Sequence, residues 1–307
     1  MIEFGLILGR LLHYVATTTL FGASLFPLYA YGRVELEALE RWRTRLLLST
    51  AIAAIVSGLL WFAFSAANMS GSLSDLADPE TLWAVARDTN FGIVWTARMV
   101  LAVLIVVLTA VCAFGTITTR NLIVSILAAM LLASVAGTGH TQVEEGLVSI
   151  LHVLSDAAHL LAAGAWLGGL VPLAYILFQV EAGRDIAPID QVLLRFSGMG
   201  YVAVATLLGT GLINGWLLVG SVTNLVTTPY GQTLLVKLVL FAGMLVLAAA
   251  NRFWLAPSLS NVRSNSFDDR ASWIHTLRNH VLGEQLLGAL ILIIASVLGT
   301  MQPAIGR

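Results

Sequence analysis

Residues 147–178 of this chain read LVSILHVLSDAAHLLAAGAWLGGLVPLAYILF, and this stretch decides the fold. It contains one formally charged side chain, Asp156, in an otherwise apolar run. About 20 predominantly apolar residues are enough for a helix to cross the ~30 Å hydrocarbon core of a bilayer. The stretch is therefore predicted to be a membrane-spanning helix, long enough to tilt or to extend beyond the bilayer.

The composition of the whole chain supports a membrane protein. Of the 307 residues, 58% are hydrophobic and 11% are charged, whereas soluble proteins carry about 25% charged residues. A net charge of −1 gives no basic field for nucleic acid. Cys112 is the single cysteine, which excludes a disulfide within the chain and any multi-thiolate metal cluster.

Seven further apolar runs bring the expected number of spans to about eight. The chain is thus predicted to be all-α, a polytopic membrane helix bundle forming a single transmembrane domain over residues 1–307. The other runs are 4–30, 46–67, 92–115, 122–137, 193–220, 234–255 and 281–300. A short surface segment, 68–91, is expected to hold a helix capped by Asp78 with Pro79 at its first position.

The distribution of arginine predicts the orientation. Four alternate links between spans hold eleven of the sixteen positive residues, whereas the opposite links hold only Arg87. The eleven are Arg33, Arg41, Arg43, Arg45, Arg120, Arg184, Arg195, Arg252, Arg263, Arg270 and Arg278. Positive residues mark cytoplasmic links, so both termini are predicted to lie on the periplasmic side.

Polar residues within the spans point to a site, because such residues are costly in a membrane. His152, Asp156 and His159 follow at spacings of four and three residues, which places them on one helical face. His13 lies at a similar depth on the first span, and His140 lies at the outer mouth. These histidines form a predicted ladder that runs inward from the outer surface.

Imidazoles in this pattern favour a transition metal, since neutral imidazole suits copper, zinc and iron. The candidate ligands are His13, His140, His152 and His159, with Asp156 either as a ligand or paired with a cation such as Arg10. Further candidates for a pathway or for groups supporting the ligands are Arg10, Glu144, Glu145, Met99 and Glu284. Lys237 and Arg98 are expected to extend toward the interface.

Several motifs together resemble the copper resistance protein D (CopD) family. One runs from Asp156 through His159 and Gly164 to Trp166-Leu-Gly168-Gly169. The others are Arg195-Phe-Ser197, Gly209-Thr-Gly211-Leu-Ile-Asn214-Gly-Trp216, Thr228-Pro-Tyr230-Gly231 with Lys237, Ala250-Asn251-Arg252, and Leu12-His13-Tyr14 with Leu20-Phe21-Gly22. The similarity covers nearly the whole chain.

The resemblance implies a bacterial inner-membrane protein of eight helices that handles copper, with a separate periplasmic copper-binding protein of the CopC type as a partner. His13, His140 and His159 match histidines of that family. We therefore expect copper import or copper homeostasis from the periplasmic side, through a His-lined site in the outer half.

Other functions stay open from the sequence. Histidine pairs on facing helices also hold b-type haem, so His13 and His159 would suit a membrane redox enzyme or an electron-transfer protein. Oxidative chemistry at a copper site is a further alternative. In the simplest case the histidines only form hydrogen bonds between helices. The oligomeric state and the oxidation state of copper are not determined by the sequence.

Overall fold

A computed structural model describes residues 1–31, 37–111, 117–138, 146–184, 188–255 and 267–306. His140, Glu144, Glu145 and Cys112 lie outside the described residues. The α-helices in chain order are α1 (Ile2–Ala30), α2 (Glu37–Ser70), α3 (Pro79–Asp88), α4 (Asn90–Val111), α5 (Ile117–Ala133), α6 (Leu147–Ala163), α7 (Gly169–Glu181), α8 (Ile189–Val219), α9 (Val222–Thr227), α10 (Pro229–Ala250) and α11 (Phe267–Leu298). The described residues contain no strand.

Eight segments of the described chain are long and apolar enough to cross a membrane, which confirms the predicted number of spans. They are Ile2–Ala30, Leu39–Ser70, Asn90–Val111, Thr118–Thr138, Leu147–Glu181, Ile189–Val219, Pro229–Phe253 and Ser272–Leu298. The all-α membrane bundle is therefore confirmed. Many large apolar side chains on the outside of the bundle are exposed, as a lipid-facing surface requires.

The two ends of the bundle differ in charge. At one end, Glu40 forms ion pairs with Arg43 and Arg120, and Arg278 pairs with Glu181. We call this the charged end. At the other end, α11 ends beside the first part of α1. The closeness is seen at Gly299, just after α11: a Cβ atom placed there would lie only 2.4 Å from Nη1 of Arg10 in α1. We call this the terminal end, because α1 begins there and α11 ends there.

Small residues let α1 pass close to the segment that joins α6 to α7. This segment, Gly164–Gly168, is a π-helical turn. A Cβ atom on Gly168 would lie 2.0 Å from the backbone oxygen of Thr18, and one on Gly22 would lie 2.3 Å from the backbone carbon of Gly168. Glycine at both positions therefore permits backbone contact between two membrane helices.

The surface helix α3 begins as predicted. The side chain of Asp78 accepts a hydrogen bond from the backbone N–H of Thr81 at 2.9 Å, and Pro79 occupies the first helical position. Hydrogen bonds from Thr81 hold the pKa of the Asp78 carboxyl below its usual value. This helix lies within the predicted surface segment 68–91.

Candidate metal centre

His13 is fully buried in α1, and its ring is fixed by α2. Its Nδ1 atom lies 3.1 Å from the backbone oxygen of Ala54 and 3.2 Å from Oγ of Ser57. A carbonyl oxygen only accepts hydrogen bonds, so Nδ1 carries the proton and donates it. The other ring nitrogen, Nε2, therefore presents a lone pair, and it is buried without a hydrogen-bond partner. Metal-binding histidines are oriented in the same way, by a second hydrogen bond to a carbonyl.

The thioether of Met99 lies next to the His13 ring. Gly58 of α2 faces both side chains: a Cβ atom there would lie 3.2 Å from Sδ of Met99 and 3.5 Å from Cε1 of His13. The end of the Met99 side chain fills the space that Gly58 leaves, and Cε1 of His13 borders the same space. This pair combines a borderline and a soft ligand type, both of which suit copper.

His159 of α6 has the same tautomer as His13, but its ring is fixed by a hydrogen bond to α8 instead of α2. Its Nδ1 atom lies 2.9 Å from Oγ1 of Thr210, and the hydroxyl of Thr210 donates its own proton to the backbone oxygen of Thr206 at 2.6 Å. Thr210 can then only accept from His159, so Nδ1 is again protonated and Nε2 again has a lone pair. His159 is half-buried, in contrast to His13.

His152 and Asp156 lie five and nine residues beyond the start of α6, on the same face as His159. His152 is buried. Asp156 accepts a hydrogen bond from Nδ2 of Asn214 at 3.4 Å, and it interacts electrostatically with Lys237 and His152. Lys237 is therefore the cation that interacts with Asp156, while neither Lys237 nor Arg10, the candidate that the sequence suggested, lies within ion-pair distance of its carboxylate.

The described part of the chain contains no group of three or more His, Cys, Asp or Glu side chains that could hold a metal ion. The Nδ1 atoms of His13 and His159 are bound to α2 and α8, respectively. A site within the described residues would thus rest on pairs of ligands such as His13 and Met99. His140, Glu144 and Glu145 lie outside the described residues.

Two residues that lie next to His13 were not recognised from the sequence as part of its surroundings. Trp61 of α2 packs against His13, with ring centroids 5.6 Å apart. Arg98 is fully buried and donates to the backbone and hydroxyl oxygens of Ser134 and to the hydroxyl of Thr138. The expectation that Arg98 reaches the interface was wrong, because the end of the fourth span supplies it with oxygen acceptors inside the bundle. The only sequence signal was an arginine within an apolar run.

Glu284 belongs to a separate site nearer the charged end. Its two carboxylate oxygens accept hydrogen bonds from Nε1 of Trp166 at 3.3 Å and from Nδ2 of Asn251 at 2.7 Å. Nδ1 of His280 lies 2.8 Å from the amide oxygen of Asn251, which continues the chain of hydrogen bonds. Glu284 also lines a cavity of about 200 Å³ with Tyr201 and largely apolar side chains. It therefore does not take part in the site around His13.

Comparison with protein families gives two matches that together span most of the chain. Residues 1–151 match the family described as Copper resistance protein D-like, N-terminal domain. Residues 190–298 match the family described as Copper resistance protein D. No solved structure matches the chain significantly.

Three curated relatives are similar over most of this chain. The inner membrane protein YebZ of Escherichia coli is 30% identical over 99% of this chain and 100% of its own length. Copper resistance protein D of Pseudomonas syringae is 31% identical over 94% of both chains. The copper transport protein CutJ of Bacillus subtilis is 33% identical over 78% of this chain and 44% of its own length. Neither these relatives nor the described residues support the haem alternative. With both family models matched and similarity along nearly its entire length, the chain belongs to the copper resistance protein D family.

Proposed function

We propose that this chain binds copper in the half of the bundle near the terminal end and serves copper import or copper homeostasis. Membership of the copper resistance protein D family supports a role in copper handling. Two of its relatives are named for copper resistance and copper transport. Copper is here the cargo or bound ion, and the protein supplies its ligands.

The observation that carries this proposal is the state of His13. Its Nε2 atom is buried, lacks a hydrogen-bond partner and is unprotonated, because Nδ1 donates to the backbone oxygen of Ala54. An unpaired polar atom in a protein interior is costly and calls for an explanation. A copper ion bound to Nε2, with the Met99 thioether as a second ligand, would supply the missing partner.

His159 extends the proposal along the bundle. Its Nε2 atom also has a lone pair. His159 shares one helical face with His152 and Asp156. We propose His159 as a further copper ligand, with His152 and Asp156 as separate contact points along the same helical face rather than as members of one three-ligand site, and with His140, Glu144 and Glu145 near the entrance. Glu284 remains a candidate for a later step of a pathway.

The proposed location is the bacterial inner membrane, with both termini on the periplasmic side. The Escherichia coli relative is named an inner membrane protein, and arginines of this chain gather at the charged end. Cytoplasmic links are rich in positive residues. Copper would then enter from the periplasm, where a protein of the CopC type could deliver it.

Copper stoichiometry of the purified protein tests the binding site. We expect His13→Ala to lose about one equivalent of copper, because an imidazole is a principal ligand for this metal. His275→Ala is the matched control, since His275 is exposed on α11 at the charged end and hydrogen-bonds to Asn279. Equal copper content in the His13→Ala variant and the unchanged protein would exclude His13 as a ligand.

Uptake of copper into proteoliposomes tests transport separately. A transporter accumulates copper inside the vesicles, and the accumulation should fall in His13→Ala. Stoichiometric binding without uptake would leave the copper site in place but would contradict import.

A further inference from the structure

Two arginines meet at one tryptophan inside the bundle. The Cζ atoms of Arg10 and Arg98 lie 5.3 and 4.9 Å from the centroid of the Trp61 ring. Trp61 is 1% exposed and Arg98 is 0% exposed. Arg10 is half-buried, and its head group lies against the end of α11 at Gly299. We call Arg10, Trp61 and Arg98 the Trp61 cluster.

Within the described residues, neither guanidinium of the Trp61 cluster is paired with a carboxylate. Among the described residues, the ion pairs join Glu40 and Glu181 to arginines at the charged end, and none involves Arg10 or Arg98. Asp156, on the neighbouring α6, already interacts with Lys237 and Asn214. Guanidinium groups do not deprotonate in proteins, so both positive charges persist in a membrane interior, where charge is costly.

The Trp61 cluster also contains three buried nitrogen atoms without hydrogen-bond partners. They are Nε of Arg10, Nε1 of Trp61 and Nη1 of Arg98. All three are N–H donors, and a buried donor left unpaired costs about 1–3 kcal/mol. Stacking on the indole ring offsets part of the cost of the charges, but it supplies no acceptor for these three N–H groups.

An acceptor with negative charge would satisfy these three donors and offset the two charges. Arg10 lies eight residues beyond the start of α1, so at 1.5 Å per residue it is roughly 12 Å along the helix. Trp61 and Arg98 are buried inside the bundle, which favours an occupant smaller than a lipid headgroup. The Arg98 head group already donates to Ser134 and Thr138, and only its Nη1 atom is left for a further acceptor, which favours a compact anion over a large one.

We propose that the Trp61 cluster binds a small monovalent inorganic anion of the halide class. The anion accepts hydrogen bonds from the unpaired N–H groups and offsets the two guanidinium charges. One consequence rests on the proposed function: a copper ion at His13 would otherwise face two positive charges, so a bound halide should strengthen copper binding. Anion binding itself requires no copper and stands independently of the copper site.

The test uses the full-length protein in detergent, freed of copper with a chelator. Bromide replaces gluconate at constant ionic strength while the melting temperature is recorded, and iodide quenching of tryptophan fluorescence is measured in parallel. We expect a saturable rise in melting temperature and a saturable component of quenching. The dissociation constant for bromide should weaken about tenfold in Arg10→Gln, because a charge-assisted hydrogen bond is lost.

The control is Arg184→Gln, which removes an exposed arginine near the charged end that is hydrogen-bonded to Gln179; it should bind bromide like the unchanged protein. Trp61→Phe keeps an aromatic ring but removes one N–H donor, so its bromide-dependent melting shift should also weaken. This milder variant decides the question if Arg10→Gln does not fold. A linear response to bromide without saturation, or equal affinity in Trp61→Phe and the unchanged protein, would overturn the proposal.

Discussion

At the scale of single residues, the candidate site depends on which ring nitrogen of each histidine is already hydrogen-bonded. His13 and His159 use Nδ1 to bond neighbouring helices, which leaves Nε2 as the ligand atom on both. The sequence could identify these histidines as costly polar groups within spans. It could not assign their tautomers, because the acceptors, Ala54 and Thr210, lie far away in the chain.

The contact at Gly58 gives a prediction about the site. A Cβ atom there would lie 2.3 Å from Cε of Met99, so Gly58→Ala should displace the thioether. We expect copper affinity to fall about tenfold, which corresponds to roughly 1.4 kcal/mol. Competition with a copper chelator measures this change.

Gly198→Ala serves as the control for that substitution, because a Cβ atom at Gly198 would have no neighbour within 4 Å. Alanine in a helix interior is favoured over glycine by roughly 0.5–1 kcal/mol, so this variant should be as stable as the unchanged protein and bind copper normally. An undiminished affinity in Gly58→Ala would show that Met99 is not a ligand.

At the scale of helices, hydropathy predicted the spans, but it did not predict how they contact one another. The long fifth span was recognised, whereas its π-helical turn at Gly164–Gly168 was not. The turn lies where α1 approaches closely, and a pattern within one helix does not encode that contact. For the same reason, the sequence offered Arg10 as a candidate partner of Asp156, whereas the carboxylate interacts electrostatically with Lys237.

The backbone contact at Gly168 predicts a loss of stability. A Cβ atom there would lie 2.0 Å from the backbone oxygen of Thr18, and backbone cannot move aside as a flexible side chain can. Gly168→Ala should therefore cost about 1–3 kcal/mol or more, as overpacking does. Thermal unfolding in detergent provides the measurement. Gly209→Ala, where a Cβ atom would have no neighbour within 4 Å, should melt near the original temperature; equal melting of the two variants would contradict the close contact.

The surface helix α3 gives a prediction about pH. Hydrogen bonds from Thr81 lower the pKa of Asp78 in the folded chain, so its stabilising effect is present above the unfolded pKa of about 3.9 and is lost as pH falls through the folded value. Hydrogen exchange should therefore show that α3 opens more readily at acidic pH. Asp78→Ala should open at neutral pH as well, whereas Asp78→Asn should keep most of its protection because asparagine also caps helices. Identical exchange in all three proteins would rule out the cap.

At the scale of the whole molecule, the bundle is polarised. Ion pairs of Glu40 and Glu181 with arginines lie at the charged end, and the candidate copper site lies toward the terminal end. The sequence predicted this asymmetry from the arginines and histidines alone, because both signals depend on position along the chain. The Trp61 cluster depends on contacts among α1, α2 and α4, and so it required the structure.

The orientation follows as a prediction for cysteine labelling. With Cys112 replaced by serine, Ser74→Cys places a thiol in the exposed segment before α3, and Ala182→Cys places one in the exposed link after α7. If the termini are periplasmic, a membrane-impermeant maleimide should label Ser74→Cys in cells with a permeabilised outer membrane. It should label Ala182→Cys only after lysis. The reverse pattern would invert the proposed topology.

The most direct test of the central claim is X-ray absorption at the copper edge of the copper-loaded protein. If His13 and Met99 bind the ion, the spectrum should contain both imidazole nitrogen and thioether sulfur scattering. The sulfur contribution should disappear in Met99→Leu, and the imidazole contribution should decrease in His13→Ala. A spectrum without sulfur, or one unchanged in both variants, would contradict a copper site built on His13 and Met99.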